Sequence, residues 1–132
     1  MELAVLGLGR MGGNMAVRLM RGGHRVVVWN RSRGKVDEHI ALGMEGTNVI
    51  TDVPGLLRQS PKVVWFMLPA GQTTDDAIDQ VVPLLAPGDI VIDGANSRWT
   101  DDKRRAAKLA PLGLRYMDAG ISGGIWGLTE GY

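Results

Sequence analysis

The sequence predicts one α/β domain in which a doubly wound, mostly parallel sheet is covered by helices on both faces. Three observations carry this prediction: short apolar runs recur along the 132 residues, helix-like stretches separate them, and a glycine-rich segment follows the first run. Continuously apolar runs, as opposed to alternating ones, are typical of strands buried on both faces of a parallel sheet. Their alternation with helices indicates βαβ units.

The individual elements follow from local patterns. Apolar runs predict strands at residues 3–8, 25–29, 62–68, 89–94 and 114–119, with a short strand near 44–50. Apolar residues at helical spacing predict helices at 10–22 and 75–85, and weaker ones at 33–42 and 53–60. The helix predicted at 100–110 has an alanine-rich side and a charged side made of Asp101, Asp102, Lys103, Arg104 and Arg105.

Composition excludes several classes of protein. The chain has no cysteine, which excludes a disulfide framework, a thiolate metal site and a cysteine nucleophile. Its longest apolar run, residues 63–70, is far shorter than the roughly twenty residues of a membrane span. The N-terminus lacks the pattern of a signal peptide. We therefore expect a cytoplasmic protein with no metal site and no membrane partner.

The distribution of charge is uneven although the net charge is only +1. Residues 1–35 carry seven arginine and lysine residues against a single acid, Glu2. This asymmetry indicates either a footprint for a phosphate-bearing ligand or a solvated helix face. No nucleic-acid recognition motif accompanies it, and few aromatic residues lie among the arginines, so we expect no nucleic-acid partner.

A glycine fingerprint at the end of the first strand predicts a dinucleotide site. The segment Gly7-Leu8-Gly9-Arg10-Met11-Gly12 has the G-x-G-x-x-G spacing and opens the first helix. Gly7 allows a tight turn, Gly9 lets a pyrophosphate approach the backbone, and Gly12 lets the helix pack on the strand. Free N–H groups at the helix start then face the phosphates. The chain, residues 1–132, is thus predicted to be a Rossmann-like dinucleotide-binding domain.

The end of the second strand predicts which dinucleotide binds. An NAD-binding domain usually has a carboxylate there, which accepts hydrogen bonds from the adenosine ribose. This chain instead has Asn30, Arg31 and Ser32. A guanidinium suits phosphate oxygens, and no carboxylate repels them. We therefore predict NADP, with NAD the less favoured cofactor. Trp29 either stacks near the adenine or packs in the core.

Three segments together resemble the N-terminal domain of the 6-phosphogluconate dehydrogenases, particularly the shorter bacterial form. They read LGLGRMGGNMAVRLMRGGHRVVVWNRS, IDGANS and DAGISGGIWGLTEGY. The resemblance implies that Met11 and the turn Met67-Leu68-Pro69-Ala70 lie along the cofactor. It also implies that Asn96 contacts the nicotinamide and the substrate, and that Ser122, Gly123 and Gly124 bind the sugar-acid phosphate substrate.

The same resemblance implies a reaction and a missing part. The family oxidises 6-phosphogluconate and decarboxylates it to ribulose 5-phosphate, in the pentose phosphate pathway, with a lysine and a glutamate that lie beyond residue 132. We therefore expect no catalytic residue in this chain. The abrupt end after GGIWGLTEGY predicts a piece of a longer protein, in which a helical domain supplies the acid, the base and the interface of a homo-oligomer. His24 precedes the second strand, and His39 is expected on a surface helix. Neither has a nucleophile or metal partner in the sequence.

Two other functions are compatible with the sequence, and one residue departs from the family's motif. The β-hydroxyacid dehydrogenases, such as those that act on 3-hydroxyisobutyrate, share the glycine opening and an SGG motif, although DGANS and GIWGL argue against them. A non-catalytic dinucleotide-sensing module is a second alternative. The departure is Ala95, which replaces the second glycine of the family's DGGNS. If that position has a positive φ, the methyl group strains the turn.

Overall fold

One six-stranded sheet, parallel throughout, forms the centre of the molecule. The computed structural model describes residues 1–132, and the strand order is β3-β2-β1-β4-β5-β6. The strands are β1 (Glu2–Leu6), β2 (Arg25–Trp29), β3 (Glu45–Thr47), β4 (Val63–Phe66), β5 (Ile90–Asp93) and β6 (Arg115–Asp118). This order confirms the predicted doubly wound α/β fold. The chain reverses direction across the sheet between β1 and β4, where such folds have their ligand crevice.

The helices confirm the predicted alternation but differ in their bounds. They are α1 (Arg10–Arg21), α2 (Arg33–Ile40), α3 (Val53–Leu56), α4 (Gln72–Val81), α5 (Trp99–Leu109) and α6 (Gly127–Glu130). The helix predicted at 53–60 ends after one turn, because Leu57 is already extended. The helix predicted at 75–85 ends at Val81, and residues 82–84 form a 3₁₀ turn around Pro83, whose ring cannot continue an α-helix.

Alternate residues of β1, β2, β4 and β5 belong to two separate cores. Leu6 and Val27 belong to the core under α4 and α5, where Ile78 and Leu109 pack. The neighbouring strand residues Val5 and Val28 belong to the opposite core, with Ala16, Val17 and Val36 of α1 and α2. This double burial explains why the strands read as continuous apolar runs. None of the helices combines the length and the apolar character that crossing a membrane would require.

A buried carboxylate holds the amino end of the sheet together. Glu2, in β1, is 6% exposed, and its Oε2 accepts the backbone N–H groups of Arg58 and Gln59 at 2.7 Å each. The Arg25 guanidinium donates to Glu2 and also to the Leu56 carbonyl at 3.1 Å. Burial raises the pKa of Glu2, but the amides of Gln59 and Arg58 and the Arg25 guanidinium outweigh it and leave that pKa below its usual value.

We expect Glu2→Gln to lower the free energy of unfolding by about 2 kcal/mol at neutral pH, because the amide NH₂ would face donors in place of an accepting carboxylate. Since the native pKa of Glu2 is lowered, the stabilisation is fully present above the usual value of 4.5 and is lost as the pH falls through the native pKa. Urea unfolding across this range measures the difference between the two proteins.

The matched control is Glu38→Gln. Glu38 is exposed and pairs only with Lys35, at 3.2 Å, so its loss should change stability by about 0.5 kcal/mol or less. Equal stabilities of the two variants at neutral pH would contradict the role assigned to Glu2.

Candidate dinucleotide-binding site

The glycine loop lies at the reversal point of the sheet, between β1 and α1. Gly7 has a φ of +106°, and a side chain there would place its Cβ 2.3 Å from the Met67 carbonyl oxygen. A Cβ on Gly12 would lie 2.0 Å from the Gly7 carbonyl oxygen. A Cβ on Gly9 would meet nothing within 4 Å. The fold itself therefore requires glycine at positions 7 and 12, whereas no packing constraint requires it at position 9.

Asn30 fixes this loop from the neighbouring strand. Its Oδ1 accepts the backbone N–H of Leu8 at 3.0 Å, and the Gly7 N–H donates to the Trp29 carbonyl at 2.8 Å. The residue expected to replace a ribose-binding carboxylate thus also positions the glycine loop. A side-chain oxygen directly after the second strand could have suggested this contact, but its partner is more than twenty residues away in the sequence.

Three cations follow the end of β2, at positions 31, 33 and 35, and Arg31 is the one that forms no ion pair. Arg33 pairs with Asp37 at 2.8 Å and Lys35 with Glu38 at 3.2 Å, each within α2. Arg31 and Ser32 are exposed, and Ser32 precedes the first residue of α2. The guanidinium of Arg31 is therefore available to an anion at the end of β2.

Two clefts that share Leu68 lie near the carboxyl ends of the central strands. The outer cleft, about 540 Å³, lies on the β2 side, and its walls include Trp29, Arg31, Val49 and Leu68. The inner cleft, about 380 Å³, lies on the β5 side, and its lining residues are Gly9, Arg10, Met11, Gly12, Met67, Leu68, Pro69, Gly94, Ala95 and Asn96. Leu68 borders both clefts. The structure thus brings together most of the residues assigned to a cofactor from the sequence. The assigned residues that line neither cleft are Gly7, Leu8, Asn30, Ser32 and Ala70.

Asn96 joins the turn after β5 to the segment after β6. Its Nδ2 donates to the Ile121 carbonyl at 3.1 Å, and its Oδ1 accepts the Ile121 N–H at 2.9 Å. Both halves of the amide are therefore used within the protein. This pairing ties Asn96, which lines the inner cleft, to the residue before Ser122, whereas Ser122, Gly123 and Gly124 do not line the cleft.

The strain considered for Ala95 does not arise. Asn96, with a φ of 54°, is the non-glycine residue in the left-handed region, and Ala95 is outside that region. Asparagine tolerates this conformation better than most residues. The Ala95 N–H donates to Asp93 Oδ1 at 2.8 Å, so the alanine fits a turn that a buried carboxylate defines.

Two of the five residues predicted on the charged side of α5 are buried, so the prediction is wrong for them. Arg105 is 1% exposed and Asp102 is 7% exposed. Arg105 pairs with Asp93 at 2.6 Å and with Asp75 at 2.7 Å. Asp102 and Arg105 precede the buried Leu109 by seven and four residues, which places all three on the core-facing stripe of α5. That periodicity could have revealed them, but their charge favoured a solvated face.

Buried polar groups around Arg105 have shifted pKa values. Burial raises the pKa of Asp102, and the nearby Asp118 and Asp93 carboxylates raise it further against the hydrogen bond from Tyr116. The Tyr116 hydroxyl donates to Asp102 Oδ1 at 2.6 Å, and its own pKa is raised by burial and by that contact. The phenol therefore stays protonated and acts as a donor.

His39 lies on α2, which has the exposed face expected of a surface helix, but the histidine itself is on the buried face. The side chain is 8% exposed, its Nδ1 lies 2.8 Å from the Lys35 carbonyl oxygen, and its ring packs on Gly13 of α1. His39 therefore helps α2 to dock against the start of α1.

A parallel sheet of this order, with a glycine loop at its reversal point and a cleft on either side, defines the class of Rossmann dinucleotide-binding domains. The family model for the NAD binding domain of 6-phosphogluconate dehydrogenase matches residues 2–132. The chain therefore belongs to that family.

Known proteins resemble the chain over nearly its whole length. The decarboxylating 6-phosphogluconate dehydrogenase of Drosophila simulans is 41% identical over 98% of the chain, which is 28% of that protein. The structure of the Plasmodium falciparum 6-phosphogluconate dehydrogenase matches 97% of the chain and 28% of its own, with a TM-score of 0.88 and 25% identity. The 3-hydroxyisobutyrate dehydrogenase of Mycobacterium tuberculosis matches 96% and 42%, with a TM-score of 0.83 and 28% identity. The chain thus spans under half the length of each.

We expect Gly12→Ala to lower the free energy of unfolding by roughly 1–3 kcal/mol, because its methyl group would displace backbone. Gly9→Ala should change stability by about 0.5 kcal/mol or less. It should nevertheless weaken dinucleotide binding by about tenfold, equivalent to about 1.4 kcal/mol, because the methyl group occupies the approach to the loop. Urea unfolding and calorimetric titration with NADP measure the two effects. Unimpaired binding by Gly9→Ala would contradict the assignment of the loop.

Proposed function

We propose that the chain is the NADP-binding domain of an enzyme that oxidises and decarboxylates 6-phosphogluconate to ribulose 5-phosphate. The observation that carries the cofactor assignment is the unpaired Arg31 guanidinium beside the outer cleft, where an NAD site has a carboxylate. The Plasmodium falciparum relative has a structure in complex with NADP⁺ and another with 6-phosphogluconate. Family membership supports the reaction.

The geometry supports a definite placement of the cofactor. The pyrophosphate would lie over Gly9 at the start of α1, where backbone N–H groups and the helix dipole favour anions. The first turn of α1 contains no acidic residue that would oppose them. The adenosine half would occupy the outer cleft, with its 2′-phosphate on Arg31 and Ser32. The nicotinamide half would occupy the inner cleft against Met11, Met67 and Pro69.

The residues of this chain bind and orient, and other residues must move protons. NADP would supply the acceptor for the hydride from C3 of the substrate. Asn96 lines the inner cleft and binds the backbone of Ile121, the residue before Ser122, which supports a role for Asn96 and Ser122–Gly124 in holding the sugar-acid phosphate beside the nicotinamide. The general base and acid would come from a helical domain outside this chain, as would the interface of a homo-oligomer in the cytoplasm.

A second candidate function is β-hydroxyacid oxidation. It is favoured by the 28% identity and the TM-score of 0.83 to the Mycobacterium tuberculosis 3-hydroxyisobutyrate dehydrogenase. Both functions use the same cofactor clefts and differ in the substrate that lies beside Asn96.

An assay of the whole protein that contains this chain separates the two candidates. The proposed function requires turnover of 6-phosphogluconate with NADP, accompanied by release of carbon dioxide. Turnover of 3-hydroxyisobutyrate without carbon dioxide would establish the second candidate. Failure of the chain to bind either dinucleotide at millimolar concentration would refute both.

We expect Arg31→Asp to shift cofactor preference from NADP toward NAD by at least about tenfold, or about 1.4 kcal/mol, because a carboxylate repels the 2′-phosphate and accepts from ribose hydroxyls. Calorimetric titration of the chain with each dinucleotide measures the shift. The control is Arg33→Asp, which makes the same change of charge at a residue already paired with Asp37. An unchanged ratio of affinities in Arg31→Asp, or an equal shift in the control, would overturn the cofactor assignment.

A further inference from the structure

A single buried guanidinium joins the two walls of the inner cleft. Arg105 projects from α5 and is 1% exposed. We propose that Arg105 is a positioning residue that sets the separation of these walls, and thereby the fit of the nicotinamide half of the cofactor. The inference rests on the proposed function for the identity of that ligand, and it assigns a role to a residue that does not touch the cleft.

The first wall is the turn after β5, which contains Asn96. Asp93 is fully buried; its Oδ1 accepts the Ala95 N–H, and its Oδ2 accepts the Ser97 hydroxyl at 2.6 Å. Arg105 donates through one nitrogen to Asp93 Oδ2 at 2.6 Å and to Ser97 Oγ at 2.9 Å. Ala95 and Ser97, on either side of Asn96, are thereby held in place. Their contacts fix the left-handed backbone conformation of Asn96.

The second wall is the turn that leads from β4 into α4. Arg105 Nε donates to Asp75 Oδ1 at 2.7 Å, in the first turn of α4. Another nitrogen of the same guanidinium lies 3.5 Å from the carbonyl oxygen of Gly71, the residue that precedes α4. The buried Thr74 hydroxyl donates to the Pro69 carbonyl at 2.8 Å. This chain of contacts runs from Arg105 to Pro69, which lines the inner cleft.

The planar fork of arginine suits this task. Burial would lower the pKa of Arg105, but the hydrogen bond to Asp75 and the nearby carboxylates of Asp75 and Asp93 raise it, so the group keeps its charge. Its donors point in fixed directions and reach both walls at once, whereas a lysine ammonium is a compact charge without that geometry. Arg105→Lys therefore keeps the charge and removes the bridge.

The neighbouring Arg104 provides a matched control. It is half-exposed and donates to the other oxygen of Asp75 at 2.7 Å, so Asp75 remains paired when Arg105 is changed. Arg104 has no contact with Asp93 or Ser97. Both arginines thus link α5 to α4 through Asp75. Only Arg105 also reaches the turn that contains Asn96.

The test compares two ligands on the chain. NADP spans both clefts, whereas 2′,5′-ADP carries only the adenosine half with its 2′-phosphate. In Arg105→Lys we expect the affinity for NADP to fall by about tenfold while that for 2′,5′-ADP changes by less than about twofold. Arg104→Lys should leave both affinities within about twofold of the wild type. If Arg105 were purely structural, the affinities for both ligands would change together or neither would change. Either result in Arg105→Lys overturns the proposal.

A second readout needs no ligand. The Ile121 N–H donates to Asn96, so its hydrogen exchange reports whether the turn is held. We expect exchange at least about tenfold faster in Arg105→Lys than in Arg104→Lys. Equal rates overturn the proposal. If the wild type binds neither ligand, the proposed function fails, and the Ile121 exchange still decides whether Arg105 positions the turn.

A milder variant covers the case in which Arg105→Lys does not fold. Ser97→Ala keeps every charge and removes the hydroxyl between Asp93 and Arg105. We expect it to weaken NADP binding by about threefold with 2′,5′-ADP unaffected. Wild-type affinity for NADP in Ser97→Ala would overturn the proposal.

Discussion

The close approach of three backbone segments at the reversal point of the sheet governs the rest of the molecule. The Gly7 carbonyl, the Cα of Gly12 and the backbone of Met67 leave no space for a Cβ at either glycine. This contact brings the start of α1 to the carboxyl ends of the neighbouring strands β1 and β4. Residues 9–12, at the start of that helix, line the inner cleft, and a helix start favours an anion.

Polar side chains at the carboxyl ends of the strands fix the loops around this point. Asn30 binds the glycine loop, Asn96 binds the backbone of Ile121, and Asp93 binds the turn that contains Asn96. Each contact satisfies backbone groups that irregular loops would otherwise leave unpaired. The loops that border the clefts are therefore held by the strands, and the ligand would meet surfaces that are already in place.

Charged residues work differently at the two ends of the sheet. At the amino end, Glu2 and Arg25 secure the segment after α3, far from either cleft. At the carboxyl end, Arg105 and Asp93 lie behind the inner cleft and bridge its walls. Buried ion pairs are expensive to form and to break. Of the two pairs, only the one at the carboxyl end holds a turn that lines a cleft.

The sequence by itself determined the sheet, the order of its elements along the chain and the glycine loop. These follow from local patterns: apolar runs report double burial, and glycine spacing reports a tight turn before a helix. Tertiary structure alone decided that Asn30 binds Leu8, that Asn96 binds Ile121, and that His39, Asp102 and Arg105 are buried. Charge predicts exposure when a residue is considered alone, because desolvation is costly. A partner from another element cancels that cost, and a single sequence does not show which elements will meet.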